Sequence, residues 1–286
     1  MSASPLFTLA VPSASVRTAA AIVGAPFDLT ASFRRGSREG PSAIRRLSES
    51  LETYSPVLDR DLEDLVLVDL GDAVPATAPV GAALDAIESA MAKALSLAQV
   101  AVLLGGEHTV TLAGYRAVRR VHPDALLVQV DAHADLRVEW EGETITHASW
   151  VHQAGVEFGF ENIYQFGIRS LAREEADARR RVAWHSSELT LPDEIAERLC
   201  GQPVYLTIDI DVLDPGIAPG TGSPEPGGAS FRELAELLYA LGPCNVVAFD
   251  IVEVAPNLDP SEVTAAAAAK LVREGVLLFG SEERSA

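Results

Sequence analysis

The chain has 286 residues, 48% apolar and 22% charged, enough apolar content for a sizeable core and too much for wholesale disorder. A formal net charge of −19 argues against nucleic acid or an anionic membrane as partner and suits a cationic ligand. Cys200 and Cys244 lack metal-type spacing and are expected as unpaired thiols of a cytoplasmic protein; no signal peptide is expected, and no apolar run approaches the roughly 18 residues that span a membrane.

Residues 1–18, rich in Ser, Ala and Pro, read as a loosely held N-terminal arm, and 19–286 as a single domain. A strand is expected over 19–24, closed by Pro26, then a polar loop over 30–41 carrying Arg34, Arg35 and Arg38. Pro41 suits an early helix position, and Ala43, Ile44, Leu47 and Leu51 recur at helical spacing. A strand over 65–70 ends at Gly71, and Pro75 and Pro79 mark a loop. Residues 82–98 are strong helix formers with Leu84, Ile87, Met91 and Leu95 on one stripe. A strand over 100–104 runs into Gly105-Gly106-Glu107-His108, with a helix over 109–121. Residues 124–129 are a buried strand leading into Val130-Asp131-Ala132-His133-Ala134-Asp135-Leu136-Arg137.

After a polar loop that ends at His147, a helix opens at Trp150, followed by a strand over 162–167, a charged helix over 172–181, a short strand over 182–185 and a helix over 192–199. A strand over 204–208 delivers Asp209 and Asp211. The Gly- and Pro-rich stretch 214–228 excludes regular structure and reads as a rigid cavity wall. A helix over 231–241, a strand over 245–251 ending near Glu253, a helix over 261–272 and a short apolar tail over 276–279 complete the chain. Strand and helix alternate about eight times, which predicts an α/β fold: three layers, α/β/α, around a central, mostly parallel sheet of about eight strands.

The chemistry collects at strand ends, where open parallel sheets place their sites. Asp131, His133 and Asp135 alternate, so in extended chain they point to one face. Alone, the trio could be a polar turn. With Asp209, Asp211 and His108, four aspartates and two histidines are available, more than one closed zinc site of about four ligands uses. Two metals sharing carboxylates would suit them, because burying that many acids without cations costs several kcal/mol per unpaired charge, as an order of magnitude. A one-metal zinc hydrolase is the rival reading. His147 could reach the site from its loop, and Glu253 needs a cationic partner, either a substrate or a basic residue. His122, His152 and His185 read as surface or core histidines, and Trp140, Trp150 and Trp184 lack the spacing of an aromatic platform.

Four stretches carry a resemblance: GGEH (105–108), DAHADLR (131–137), DIDVLDPGIAPGTGSPEPGG (209–228) and FDIVEVAP (249–256). On them the chain resembles the ureohydrolases, the arginase and agmatinase group, from about residue 22 to residue 279; 26–28 and 35–41 resemble that family's N-terminal region. The resemblance implies the arginase-like fold and two Mn²⁺ per chain. One would be held by His108, Asp131, Asp135 and Asp209, the other by Asp131, His133, Asp209 and Asp211. It further implies Asp135 as proton acceptor, His147 as proton relay or substrate contact, and Glu253 as partner of a substrate guanidinium. Arg137 stands where arginases have asparagine, which is similar to the agmatinase branch. The implied reaction is agmatine to putrescine and urea, a step of polyamine biosynthesis, with arginase, other guanidino-acid or formiminoglutamate hydrolysis, or a non-catalytic binding homologue as alternatives. Glu107 and Thr146 replace the family's usual aspartate and serine. The resemblance also implies a homotrimer or homohexamer. Arg34, Arg35 and Arg38, unsuited to a guanidine substrate, are expected to face a neighbouring subunit.

Overall fold

The structure is a computed structural model; it describes residues 6–73 and 78–281. Eight strands form one parallel sheet in the order β4-β1-β5-β10-β9-β6-β7-β8. They are β1 (Thr18–Ala25), β4 (Leu67–Asp72), β5 (Ala98–Gly105), β6 (Leu126–Val130), β7 (Ile163–Phe166), β8 (Trp184–His185), β9 (Pro203–Asp209) and β10 (Asn245–Val252). The two-residue strands β2 (Tyr54–Ser55) and β3 (Arg60–Asp61) make a separate antiparallel pair that no sequence pattern announced. The helices are α1 (Gly40–Ser48), α2 (Val80–Leu97), α3 (Val110–Val121), α4 (Trp150–Phe158), α5 (Ala176–Arg179), α6 (Asp193–Cys200), α7 (Phe231–Ala240) and α8 (Val263–Phe279).

The expected α/β/α layering with a central parallel sheet is the observed fold. Its strands are apolar at nearly every position because each face has its own core. Ala20 and Ile22 of β1, Val100, Val102 and Leu104 of β5, and Val204, Leu206 and Ile208 of β9 join α1, α6, α7 and α8 in one cluster. The intervening Ala21, Val23, Ala101, Leu103 and Tyr205 join α2, α3 and α4 in the other. Register is level across the middle, with Phe249 opposite both Val102 and Leu206. Since the strands are parallel, their C-terminal ends reach the same edge, and the ligand-type residues follow β5, β6, β9 and β10 there.

Several expectations need correction. Residues 1–5 of the expected arm and Pro75 lie outside the described residues, but from Phe7 onward the arm is held. The Phe7 side chain is buried and its N–H donates to Asp69 Oδ2 at 2.9 Å; Val11 pairs with β4, which has an open edge. The final helix and tail are one helix, α8, because Gly275 is not a break: Cβ there would meet the Phe249 ring at 2.7 Å, so glycine lets helix and sheet approach. Residues 172–181 hold a 3₁₀ turn and the single-turn α5 instead of a long helix, since the Glu175 carboxylate accepts from the Ala172 and Leu136 N–H groups and pulls the segment into a cap. Cys200 and Cys244 are joined as a disulfide between the end of α6 and the approach to β10. Arg34 and Arg38 serve the chain itself. Arg34 donates to the Thr221 and Gly222 carbonyls, and Arg38 pairs with buried Asp28 at 2.8 Å. The Arg35 guanidinium donates to the Leu29 carbonyl. Among the described residues no helix is long and apolar enough to cross a membrane.

Candidate metal centre

His108 follows β5 at the start of the turn into α3, fixed by two backbone contacts: Glu107 N–H to Phe27 O at 2.7 Å, and His108 N–H to Glu253 Oε1 at 2.8 Å. Gly106 makes the first possible, because a Cβ there would lie 1.9 Å from the Phe27 carbonyl oxygen. Asp131 and His133 follow β6. Asp209 ends β9, and its carboxylate accepts from Asp211 N–H at 2.8 Å, turning the chain so that Asp211 faces the same pocket.

Six side chains converge. His108 Nδ1 lies 3.0 Å from Asp131 Oδ2, 3.2 Å from Asp209 Oδ2 and 3.4 Å from Asp135 Oδ2. His133 Nδ1 lies 2.9 Å from Asp211 Oδ2 and 3.7 Å from Asp131 Oδ1. Two triplets have ligand atoms mutually within 4.8 Å: His108, Asp131 and Asp209, and Asp131, His133 and Asp211. They share Asp131, one oxygen toward each. Asp135 arrives by another route than strand alternation: β6 ends at Val130 and Asp135 has φ of 51°, a left-handed turn. Its Oδ2 accepts from Trp150 Nε1 at 2.8 Å, and the Trp150 ring sits 4.5 Å from that of His108.

The electrostatics follow from burial. Burial alone would lower His108, but the adjacent Asp131 and Asp209 carboxylates outweigh it and hold its pKa well above the ordinary value. Burial, then the charges of Asp211 and Asp131, pushes Asp209 up; burial, then Asp131, does the same to Asp135. Burial would raise Asp131, yet the two imidazoles lower it. Such a cluster either takes up protons or holds cations. The donor set fits divalent ions: carboxylates and imidazoles in two triplets, with a buried His108 Nδ1 that has no hydrogen-bond partner among the described residues.

A cleft of about 300 Å³ opens over the cluster, walled by Trp140, His147, Glu175, Ser223 and Glu253 among others. Glu253 has φ of 63° and is half-buried; desolvation, then the charge of Glu107, pushes its carboxyl up to about 8. Among the described residues no Arg or Lys pairs with it. His147 Nε2 meets Ser32 Oγ at 3.0 Å, its N–H donates to Thr30 Oγ1, and burial lowers its pKa to about 4. Thr30 also donates to Glu107, whose carboxyl burial pushes up to about 7 despite those bonds. Sequence reasoning missed Trp150, Thr30 and Ser32. Trp150 could have been flagged as an indole following a ligand run, whereas Thr30 and Ser32 carried no signal.

Fold and site together define a class, the α/β/α proteins that gather a carboxylate–imidazole pair of metal sites at the C-terminal edge of a parallel sheet. The chain belongs to the Arginase family, which it matches over residues 18–278. It is 44% identical to an agmatinase of Halalkalibacterium halodurans, over 91% of this chain and 92% of that protein. It is 42% identical to an agmatinase of Bacillus subtilis strain 168, over 91% of each chain. Among solved structures it resembles the agmatine ureohydrolase of Thermoplasma volcanium, at TM-score 0.82 and 34% identity, covering 91% of this chain and 89% of that one.

Proposed function

We propose that the protein hydrolyses agmatine to putrescine and urea with two Mn²⁺ per chain. The observation that carries the reading is the pair of triplets sharing Asp131, set beneath a cleft whose half-buried Glu253 has no basic partner among the described residues. The names of the relatives at 42–44% identity support agmatine as the substrate. His108, Asp131, Asp135 and Asp209 would hold one ion, and Asp131, His133, Asp209 and Asp211 the other. When bound, a pair of divalent ions supplies a water acidic enough to be a nucleophile near neutral pH, which the resonance-stabilised guanidinium carbon requires.

The side chains do the rest. Glu253 grips the guanidinium by a charge-assisted pair, turning its carbon toward the ligand cluster. Asp135, its Oδ2 held by Trp150, accepts the proton of the attacking water. The proton taken by Asp135 then passes to the leaving amine by way of His147, whose imidazole is otherwise neutral at physiological pH and whose Nε2 is steadied by Ser32. The partner is a small cation, in keeping with the charge of −19. We further propose that the protein is cytoplasmic, the Cys200–Cys244 disulfide being an exception to the reduced thiols usual there, and that it assembles as a homotrimer or homohexamer. The test is product release (urea, or formamide from formiminoglutamate) from Mn²⁺-loaded protein offered agmatine, arginine, 4-guanidinobutyrate and formiminoglutamate. Agmatine is expected to be preferred; a preference for arginine overturns the substrate assignment.

A further inference from the structure

Asp250 is fully buried in β10, opposite Thr207 of β9, under α3. Its Oδ2 accepts from Tyr205 OH at 2.7 Å and from Thr111 Oγ1 at 2.8 Å. Thr111 Oγ1 lies 3.4 Å from Thr207 Oγ1, and Thr207 Oγ1 lies 2.9 Å from His108 Nε2. A carboxylate in the middle of a sheet whose two faces are covered is costly to bury, and the proposed reaction does not use it.

With Asp250 ionised, one polarity satisfies every contact of this chain. An ionised Asp250 only accepts. Thr111 therefore gives it its single hydroxyl hydrogen and can only accept from Thr207. When Thr207 gives its own hydrogen toward Thr111 or the carboxylate, its oxygen accepts from His108 Nε2. In that polarity Nε2 of His108 carries a proton, so that when a metal displaces the proton on Nδ1, the nitrogen that faces Asp131 and Asp209, its lone pair is free to ligate.

We propose that Asp250 is a positioning residue for the metal centre, imposing on His108 the tautomer that can ligate a metal through Nδ1, by way of Thr207 and Thr111. Hydrogen bonds to the far nitrogen of a ligating imidazole set its tautomer and ring orientation, and removing them lowers metal affinity by about 10- to 100-fold. This rests on the assignment of His108 as a ligand.

The experiment is Mn²⁺ titration of metal-stripped protein, followed by calorimetry and by the electron paramagnetic resonance of bound ions, for wild type, Asp250→Asn, Thr207→Val and Thr207→Ser. Wild type is expected to bind two ions. Thr207→Val and Asp250→Asn are expected to weaken one of them by about 10- to 100-fold, with the coupled two-ion signal replaced by that of isolated Mn²⁺. Thr207→Ser, which keeps the hydroxyl, should stay within about twofold of wild type. Should Asp250→Asn fail to fold, the valine and serine pair decides alone. The proposal is overturned if the folded variants bind both ions as wild type does, or if serine weakens binding as much as valine, which would make the effect one of packing. Wild type binding fewer than two ions would instead overturn the ligand assignment.

Discussion

Glu253→Gln separates substrate capture from metal binding. Glu253 occupies a left-handed backbone position, and its Oε1 accepts the His108 N–H at 2.8 Å. Glutamine keeps the volume, and its carbonyl can keep that bond. What it loses is the charge: an amide N–H₂ would then meet a guanidinium that has only donors to offer. A hydrogen bond between charged groups contributes about 1.5–3 kcal/mol. At 1.36 kcal/mol per tenfold, kcat/KM for agmatine should fall by about 10- to 150-fold. Glu253 belongs to neither ligand triplet, so both Mn²⁺ should remain. Steady-state urea release read beside metal content checks both halves. A variant that loses manganese, or that keeps kcat/KM within about threefold, would refute the assignment of Glu253 to the guanidinium.

Asp131 lies in both triplets and Asp211 in one, so Asp131→Asn should abolish tight binding of both Mn²⁺ and Asp211→Asn of one, as equilibrium dialysis with elemental analysis would show. Gly106→Ala should destabilise the fold by about 1–3 kcal/mol, because its Cβ meets the Phe27 backbone, whereas Gly81→Ala, with nothing within 4 Å, should stabilise α2 by about 0.5–1 kcal/mol; urea midpoints compare them. Arg45 is fully buried, with Nε 2.8 Å from Asp69 Oδ2 and Nη1 2.6 Å from Asp72 Oδ1, so Arg45→Met should cost about 3–5 kcal/mol by the same assay by stranding Asp69. Stripping the metal should lower thermal stability, since ligand at a thousandfold over Kd contributes about 4 kcal/mol per site; calorimetric melts that do not respond to Mn²⁺ would contradict the centre.

The sheet was readable because each of its central strands must be apolar on both sides. The runs at 100–104 and 204–208 left no alternative to burial, and the ligand residues at their ends stood out by contrast. What escaped reading lacked a periodic signal or depended on distant chain. β2 and β3 have two residues each, too few for any period. Gly275 reads locally as a helix breaker, and only the Phe249 ring across the layer shows why a glycine continues α8. Cys200 and Cys244 are 44 residues apart, and their pairing depends on α6 packing beside the approach to β10. Asp135 was assigned to the right pocket by the wrong geometry, since ligand spacing survives whether the chain stays extended or turns left-handed. The helix expected over 231–241 is α7, and the capping box at Ser230 and Glu233 marks its start.

Polar residues inside the doubly covered strands carried a signal that periodicity alone discards. Gln129, Gln165, Thr207 and Asp250 are all fully buried. Each needs a partner, and in the structure the partners lead to the ligands. Gln129 Nε2 donates to Asp131 Oδ2 at 2.7 Å, Gln165 Nε2 donates to Gln129 Oε1 at 2.7 Å, and Thr207 meets His108. Asp131 is thus held by the sheet as well as by its histidines. A polar side chain in such a strand cannot be satisfied by solvent, so its presence points to whatever it orients. Here that is a ring of acids whose mutual repulsion must be offset by protons when the centre is bare and by cations when it is filled. A rigid sheet beneath would keep the ligands together in both conditions, so that metal would exchange for protons in a pocket already shaped to receive it.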